Sequence, residues 1–162
     1  MVPRAVILRP TTSQEAEANA VWNVRAALNV AALQCQFSPF LAAVSNYNAV
    51  LKHHSDELGR AQAVMISHFK RYDGAKAANS FDQYTTRIYN SYSTLDAQYR
   101  FCDVAGRIGR EVLTIPKDRL GSEALKHMPE IRAALEQQAL SPNLEVREML
   151  PIVVPEVSIP DA

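Results

Sequence analysis

Apolar residues recur at helical spacing along most of this chain. Val21, Val24, Leu28, Ala31 and Cys35 step by three and four residues, which places them on one face of a helix. Alanine is dense around them, and it is the best helix former. Thr12 and Glu15 stand three apart at the start of the run, the spacing of a capping box. The first helix is therefore predicted from 13 to about 37, after an extended lead-in over residues 1–12.

A second seam runs through Leu41, Val44, Asn48, Leu51, Leu58, Ala61, Met65 and His68 or Phe69. It predicts a helix over 39–72. Ser38 and Pro39 favour a fresh start there, and a proline kink in one longer helix is the alternative. Asp73 and Gly74 stop it. The third seam is Phe81, Tyr84, Ile88, Ser91, Leu95, Gln98, Cys102, Ala105, Gly109 and Val112, a helix ending near 113. Ser91, Ala105 and Gly109 are small enough for a neighbouring helix to come close. No run alternates with period two, so no sheet is expected.

Beyond Thr114 the composition changes, with six of the nine prolines in the last 47 residues. Short helices fit residues 122–127, 129–140 and 142–150, and the tail from Pro151 is expected to be extended. The fold class is all-α. It reads as an up-down-up bundle of three long helices over 13–113, with short C-terminal helices and an extended Pro-rich tail over 114–162 in the same domain.

The two cysteines sharpen this picture. They are far apart and form no Cys-x-x-Cys, so zinc-ribbon and thioredoxin-like motifs are excluded. In the up-down-up arrangement Cys35 lies about five residues, or about 7.5 Å, from the level of Cys102. Two buried thiols are the plain reading. A Cys35–Cys102 disulfide fits the bundle, provided Pro39 separates two helices rather than kinking one. A disulfide implies an oxidising compartment.

The chain has 162 residues with 17 basic and 17 acidic side chains. No basic field exists to hold nucleic acid. On the third helix Phe81, Tyr84, Tyr89, Tyr92, Tyr99 and Phe101 are interleaved with Arg87, Arg100, Arg107 and Arg110, but Asp82, Asp96, Asp103 and Glu111 cancel the charge, and these aromatics read as core and boundary packing. The longest mostly apolar stretch of the first half, residues 26–33, contains Asn29 and is too short to cross a membrane. Residues 1–10 lack an apolar signal core and a cleavage site, so a cytoplasmic protein and a mature exported form both remain open.

Candidate chemistry is sparse. His53, Asp56 and Glu57 share a helix face at i, i+3 and i+4 and can present ligands to a metal; a solvated helix face accounts for the same residues. Asn48 falls on a seam, where a buried asparagine sets register. Asparagines between helices can also line a polar pocket. No glycine-rich phosphate loop, nucleophile elbow or dinucleotide fingerprint occurs, and no cofactor is expected. In the tail, Val153, Val154, Val157 and Ile159 form an apolar strip whose prolines forbid a helix, which suggests docking into a groove of this chain or of a partner.

Residues 27–37 (Ala-Leu-Asn-Val-Ala-Ala-Leu-Gln-Cys-Gln-Phe), Asn46-Tyr47-Asn48 and Phe81-Asp82-Gln83-Tyr84 resemble a set of small exported helical proteins of alphaproteobacteria, over roughly 15–113. The resemblance implies a periplasmic location and no activity. The expected function is a non-enzymatic envelope interaction or structural protein with a protein partner. A ligand- or metal-binding helical bundle of sensor type is the alternative.

Overall fold

The computed structural model describes residues 4–93, 95 and 97–136. These form six α-helices and no strand: α1 (Ser13–Gln34), α2 (Ala43–His53), α3 (Ser55–Asp73), α4 (Ala77–Tyr92), α5 (Gln98–Thr114) and α6 (Leu120–Glu136). Short 3-10 turns, Pro39–Leu41 and Gly74–Lys76, precede α2 and α4. The all-helical class is as expected from the periodicity. The three long helices are not, because the second and third are each two helices.

α1 begins with the capping box read from the sequence. Thr12 Oγ1 accepts the Glu15 N–H, and Glu15 Oε2 accepts the Thr12 N–H, each at 3.2 Å. All five residues of the first seam are buried. So are Ala20, Trp22, Ala26, Ala27, Val30 and Ala32, which lie off that seam. A helix apolar on nearly every side is a central one, and α1 packs against each of the other five described helices. Its alanines keep the surface thin enough for neighbours to approach all round.

The second seam fails in its first half. Val44 and Asn48 are exposed, whereas Tyr47 and Val50 are buried. The cause is His54, whose backbone (φ −106°, ψ 23°) separates α2 from α3 and rotates the inward face. Leu58, Ala61, Met65, His68 and Phe69, beyond the break, are buried as expected. Asn48 therefore sets no register.

The third seam hides a reversal. α4 runs beside α1 in the same direction, with Trp22 Nε1 donating to Thr85 Oγ1 (3.1 Å) and Gln34 Nε2 to Ser93 Oγ (2.8 Å). Ser93 is extended (φ −85°, ψ 101°), and after the bend at 93–97 the chain turns back. Gln98 Nε2 donates to the Gln34 carbonyl oxygen, Cys102 meets Cys35, and Gly109 lies against Leu28. α5 thus descends antiparallel to α1, and Leu95, at the bend, is 82% exposed.

α5 packs closely on its neighbours through glycine. A Cβ at Gly106 would come within 2.9 Å of Leu41 Cδ2, so the Leu41 side chain would have to shift to admit one. At Gly109 the added atom would meet Leu28 Cδ2 at 3.5 Å and Asn46 Cβ at 3.8 Å, ordinary contact distances. Gly109→Ala is therefore expected to stabilise the protein by about 0.5–1 kcal/mol, the penalty of glycine inside a helix. Urea unfolding measures this, and a lowered midpoint would show that no space exists there.

At the C-terminal side, α6 is one helix through Pro129, not the separate short helices expected over 122–127 and 129–140. A proline inside a helix costs about 3 kcal/mol. Leu120, Ala124, Ile131, Ala134 and Leu135 are buried on both sides of it, and burying one Leu or Ile side chain is worth about 1.5–3 kcal/mol. Burial therefore outweighs the proline. The expected helix over 142–150 and the tail with Val153, Val154, Val157 and Ile159 lie outside the described residues.

Candidate functional site

Three polar clusters and one apolar surface are candidates. The first cluster lies between α1 and α4. Tyr84 Oη donates to Asn19 Oδ1. Asn23 Nδ2 donates to the same oxygen at 3.0 Å, and Tyr92 Oη donates to Asn23 Oδ1 at 2.9 Å. Two of the asparagines between helices, Asn19 and Asn23, are thus bonded to tyrosines, whereas Asn46 donates to the Leu41 carbonyl oxygen and Asn48 is exposed. Burial pushes both phenols up, Tyr92 to about 12. They stay protonated as donors, and the cluster orders the helix pair.

The second cluster joins the lead-in to α3. Glu15 is buried and accepts from Arg71 Nη1 (2.6 Å), Arg71 Nη2 (2.9 Å) and His68 Nδ1 (2.8 Å). Burial pushes its carboxyl up. The hydrogen bonds from Arg71, His68 and the Thr12 N–H outweigh that and hold it at about 2. Tyr72 Oη donates to the Pro10 carbonyl oxygen (2.8 Å), and Arg9 grips Asp73 through two bonds of 2.9 and 2.7 Å. Arg9 also lies over the Tyr72 ring, 4.4 Å from its centroid. These contacts fasten the extended lead-in to the end of α3. Sequence reading found Glu15 only as a cap residue and His68 only as a seam position.

The third cluster contains the proposed ligands. His53 Nε2 donates to the Ile115 carbonyl oxygen at 3.1 Å. The neighbouring His54, fully buried, donates from Nε2 to the Val112 carbonyl oxygen at 2.9 Å, and its Nδ1 is hydrogen-bonded to Glu57 Oε1 at 2.7 Å. The other Glu57 oxygen accepts the Leu120 N–H at 2.9 Å. Glu57 thereby caps α6 from α3. Asp56 is exposed.

His53, Asp56 and Glu57 do line one polar cavity of about 90 Å³. Arg60 and Asp118 form an ion pair there and separate it from a second cavity of about 190 Å³ beside Glu17 and Val21. However, both Glu57 oxygens and both His54 nitrogens are engaged. Among the described residues no group of three or more His, Cys, Asp and Glu side chains is placed to hold a metal ion. No hydroxyl or thiol hydrogen-bonds either histidine among the described contacts, so the arrangement offers no activated nucleophile.

The apolar surface gathers at the opposite end of α1. Cys35 and Cys102 stand there at disulfide distance, Sγ to Sγ 2.04 Å and Cα to Cα 5.6 Å, as the sequence suggested. Within seven residues of one or the other cysteine along the chain, Leu33 is 70%, Phe40 96%, Leu95 82% and Tyr99 73% exposed. Phe37 and Tyr99 meet edge to face with centroids 5.3 Å apart. A groove of about 420 Å³ runs beside them, lined by Cys35, Pro39, Ala42, Val44 and Asn48. Ala42 holds φ 47° at this turn, a left-handed conformation that costs a non-glycine residue about 1–2 kcal/mol. Tyr99 was read as part of an aromatic core helix. The misplaced signal is the bend at 93–97, which turns Leu95 and Tyr99 outward.

No described helix is long and apolar enough to cross a membrane. No known protein family, curated protein or solved structure matches this chain.

Proposed function

We propose that this chain is a non-enzymatic interaction protein of the cell envelope that presents its cysteine-bearing end to a protein partner. The exposed group of Leu33, Phe37, Phe40, Leu95 and Tyr99 carries the reading. Single exposed apolar residues are ordinary, but several large ones together, two of them ring to ring, mark an interaction site. Aromatic side chains supply most of the binding free energy at such surfaces. The cysteine pair supports a location in an oxidising compartment such as the periplasm, in keeping with the resemblance to exported alphaproteobacterial proteins.

The test is purification from native cells of the wild type and of the double variant Phe40→Ser, Tyr99→Ser. The wild type is expected to retain a stoichiometric partner. The variant, with an unchanged melting temperature because both side chains are exposed, is expected to lose it. Retention by both, or by neither, overturns the proposal.

A second reading is a ligand- or metal-binding bundle. It has in its favour that His53, Asp56 and Glu57 line one polar cavity. A melting temperature raised by added zinc in the wild type and not in Asp56→Asn would favour it over the first.

A further inference from the structure

Residues 26–51 contain no charged side chain, where the overall 21% would give about five. This stretch holds the last part of α1, the Pro39–Leu41 turn and most of α2. Over 93–101 the sequence adds only Asp96 and Arg100, of opposite sign. Contacts hold the two segments together. The Pro39–Leu41 turn packs against α5, the Phe37 ring meets Tyr99, and Gln34 is hydrogen-bonded to both Ser93 and Gln98. The exposed apolar group therefore belongs to a surface almost free of charge.

That surface has a projection and a recess. Phe40, almost wholly exposed, projects from the turn. Beside it runs the groove of about 420 Å³, lined by Cys35, Pro39, Ala42, Ala43 and Val44 and by no aromatic side chain. An apolar cavity of about 150 Å³ admits benzene, so the groove has room for a phenyl ring. Its own Phe40 stands outside it.

We infer that the partner at this end is a second copy of this chain, related by a two-fold axis, with Phe40 of each copy entering the Pro39–Val44 groove of the other. The inference rests on the reading of this end as a docking surface and names the occupant. Two observations select a second copy. A two-fold interface sets one surface against itself, so a charge near the axis meets its own sign, and like charges brought together cost several kcal/mol; residues 26–51 bring none. A projection beside a recess gives two identical insertions under one rotation. The exposed area is also of the right order. Phe37, Phe40 and Tyr99 expose about 450 Å² at roughly 200 Å² per aromatic side chain, and Leu33, Val44 and Leu95 add roughly 200 Å². Each partner in a stable complex buries about 800 Å², which the polar rim would complete.

Sedimentation equilibrium of the full chain tests this. The wild type is expected to reach twice its 18.0 kDa, with a dissociation constant of about 1 μM or below. Raising the salt from about 0.05 to 0.5 M should not weaken it, because no charge pair holds it. Phe40→Ser should weaken association by roughly 1,000-fold, about 30-fold for each of the two rings lost, with an unchanged far-ultraviolet circular dichroism spectrum. Val44→Arg, which fills the groove and sets like charges across the axis, should be monomeric too. A mixture of the two variants is expected to form a one-to-one heterodimer, about 30-fold weaker than the wild type, because one intact ring meets one intact groove. A mixture that stays monomeric at roughly 100 μM, or a wild type that does, overturns the inference. So does a dimer that dissociates in salt, which would lie on a charged surface elsewhere. In the purification from native cells the retained partner is expected to be an untagged copy. A different protein, retained by a monomeric wild type and lost by Phe40→Ser, Tyr99→Ser, would leave the docking surface standing and remove the second copy. Flotation of a monomeric wild type with phosphatidylcholine vesicles would assign the surface to lipid and overturn the inference.

Discussion

Replacing Cys35 and Cys102 together by alanine is expected to destabilise the protein by about 4 kcal/mol, the chain-entropy value for a closed loop of this size. The two residues are 67 apart in sequence. The cost is a large part of a typical domain stability of about 5–15 kcal/mol, so the variant should unfold at a much lower urea concentration. The loss should also be local. The pair joins the end of α1 to the first turns of α5, and through them holds Phe37 against Tyr99. Hydrogen exchange in the variant should accelerate at 35–42 and 98–104 before it does in α3. The bond itself is read by intact mass, which rises by about 2 Da on reduction of the two sulfurs. Two freely alkylatable thiols in the folded, air-exposed protein, or an unchanged unfolding midpoint in the variant, would count against it.

The second large effect is expected from Glu15→Gln. This substitution keeps the shape and removes the charge that Arg71 and His68 face. Breaking a buried pair by removing one partner costs about 3–5 kcal/mol, here with the capping box weakened as well. The pH dependence separates the electrostatic part. Glu15 titrates at about 2 in the folded protein, below its ordinary 4.5, so the unfolded chain binds its proton first as pH falls. The stabilisation is complete above about pH 4.5 and disappears as pH drops towards 2; a shift of that size corresponds to about 3 kcal/mol. The gap in unfolding free energy between wild type and Glu15→Gln should therefore narrow steadily below about pH 4.5. A gap that stays constant down to pH 2.5 would mean that the carboxylate charge contributes nothing.

Periodicity located the helical segments but not their directions. The third seam continues at steps of three and four from Ser91 through Leu95 and Gln98 to Cys102, because two helices with the same period joined by a suitable bend look like one. A burial pattern carries no sign for the direction of travel. The Cys35–Cys102 pairing was nonetheless legible, although the up-down-up premise behind it was not. α4 climbs to the end of α1, and Cys102 sits just after the turn, so the pair meets near the level that a continuous helix also suggested. His54 shows a comparable limit. Neither proline nor glycine marks the break between α2 and α3, and the buried imidazole there is held by Val112 and Glu57.

What the sequence alone determined is what neighbours along the chain decide: helical class, the start of α1 at its capping box, the stop at Gly74, and the inward faces of α1 and of the α3–α5 segments away from bends. These depend on contacts within about one helical turn, so spacing and residue type are enough to read them. The tertiary structure alone decided the reversal at 93–97, the continuity of α6 through Pro129, the capping of α6 by Glu57, and the exposure of Phe40, Leu95 and Tyr99. It also decided the Glu15 cluster, whose partners His68 and Arg71 lie 53 and 56 residues away. Each of these rests on groups distant in sequence that burial brings together, and their stabilisation comes from desolvated contacts that no local window contains.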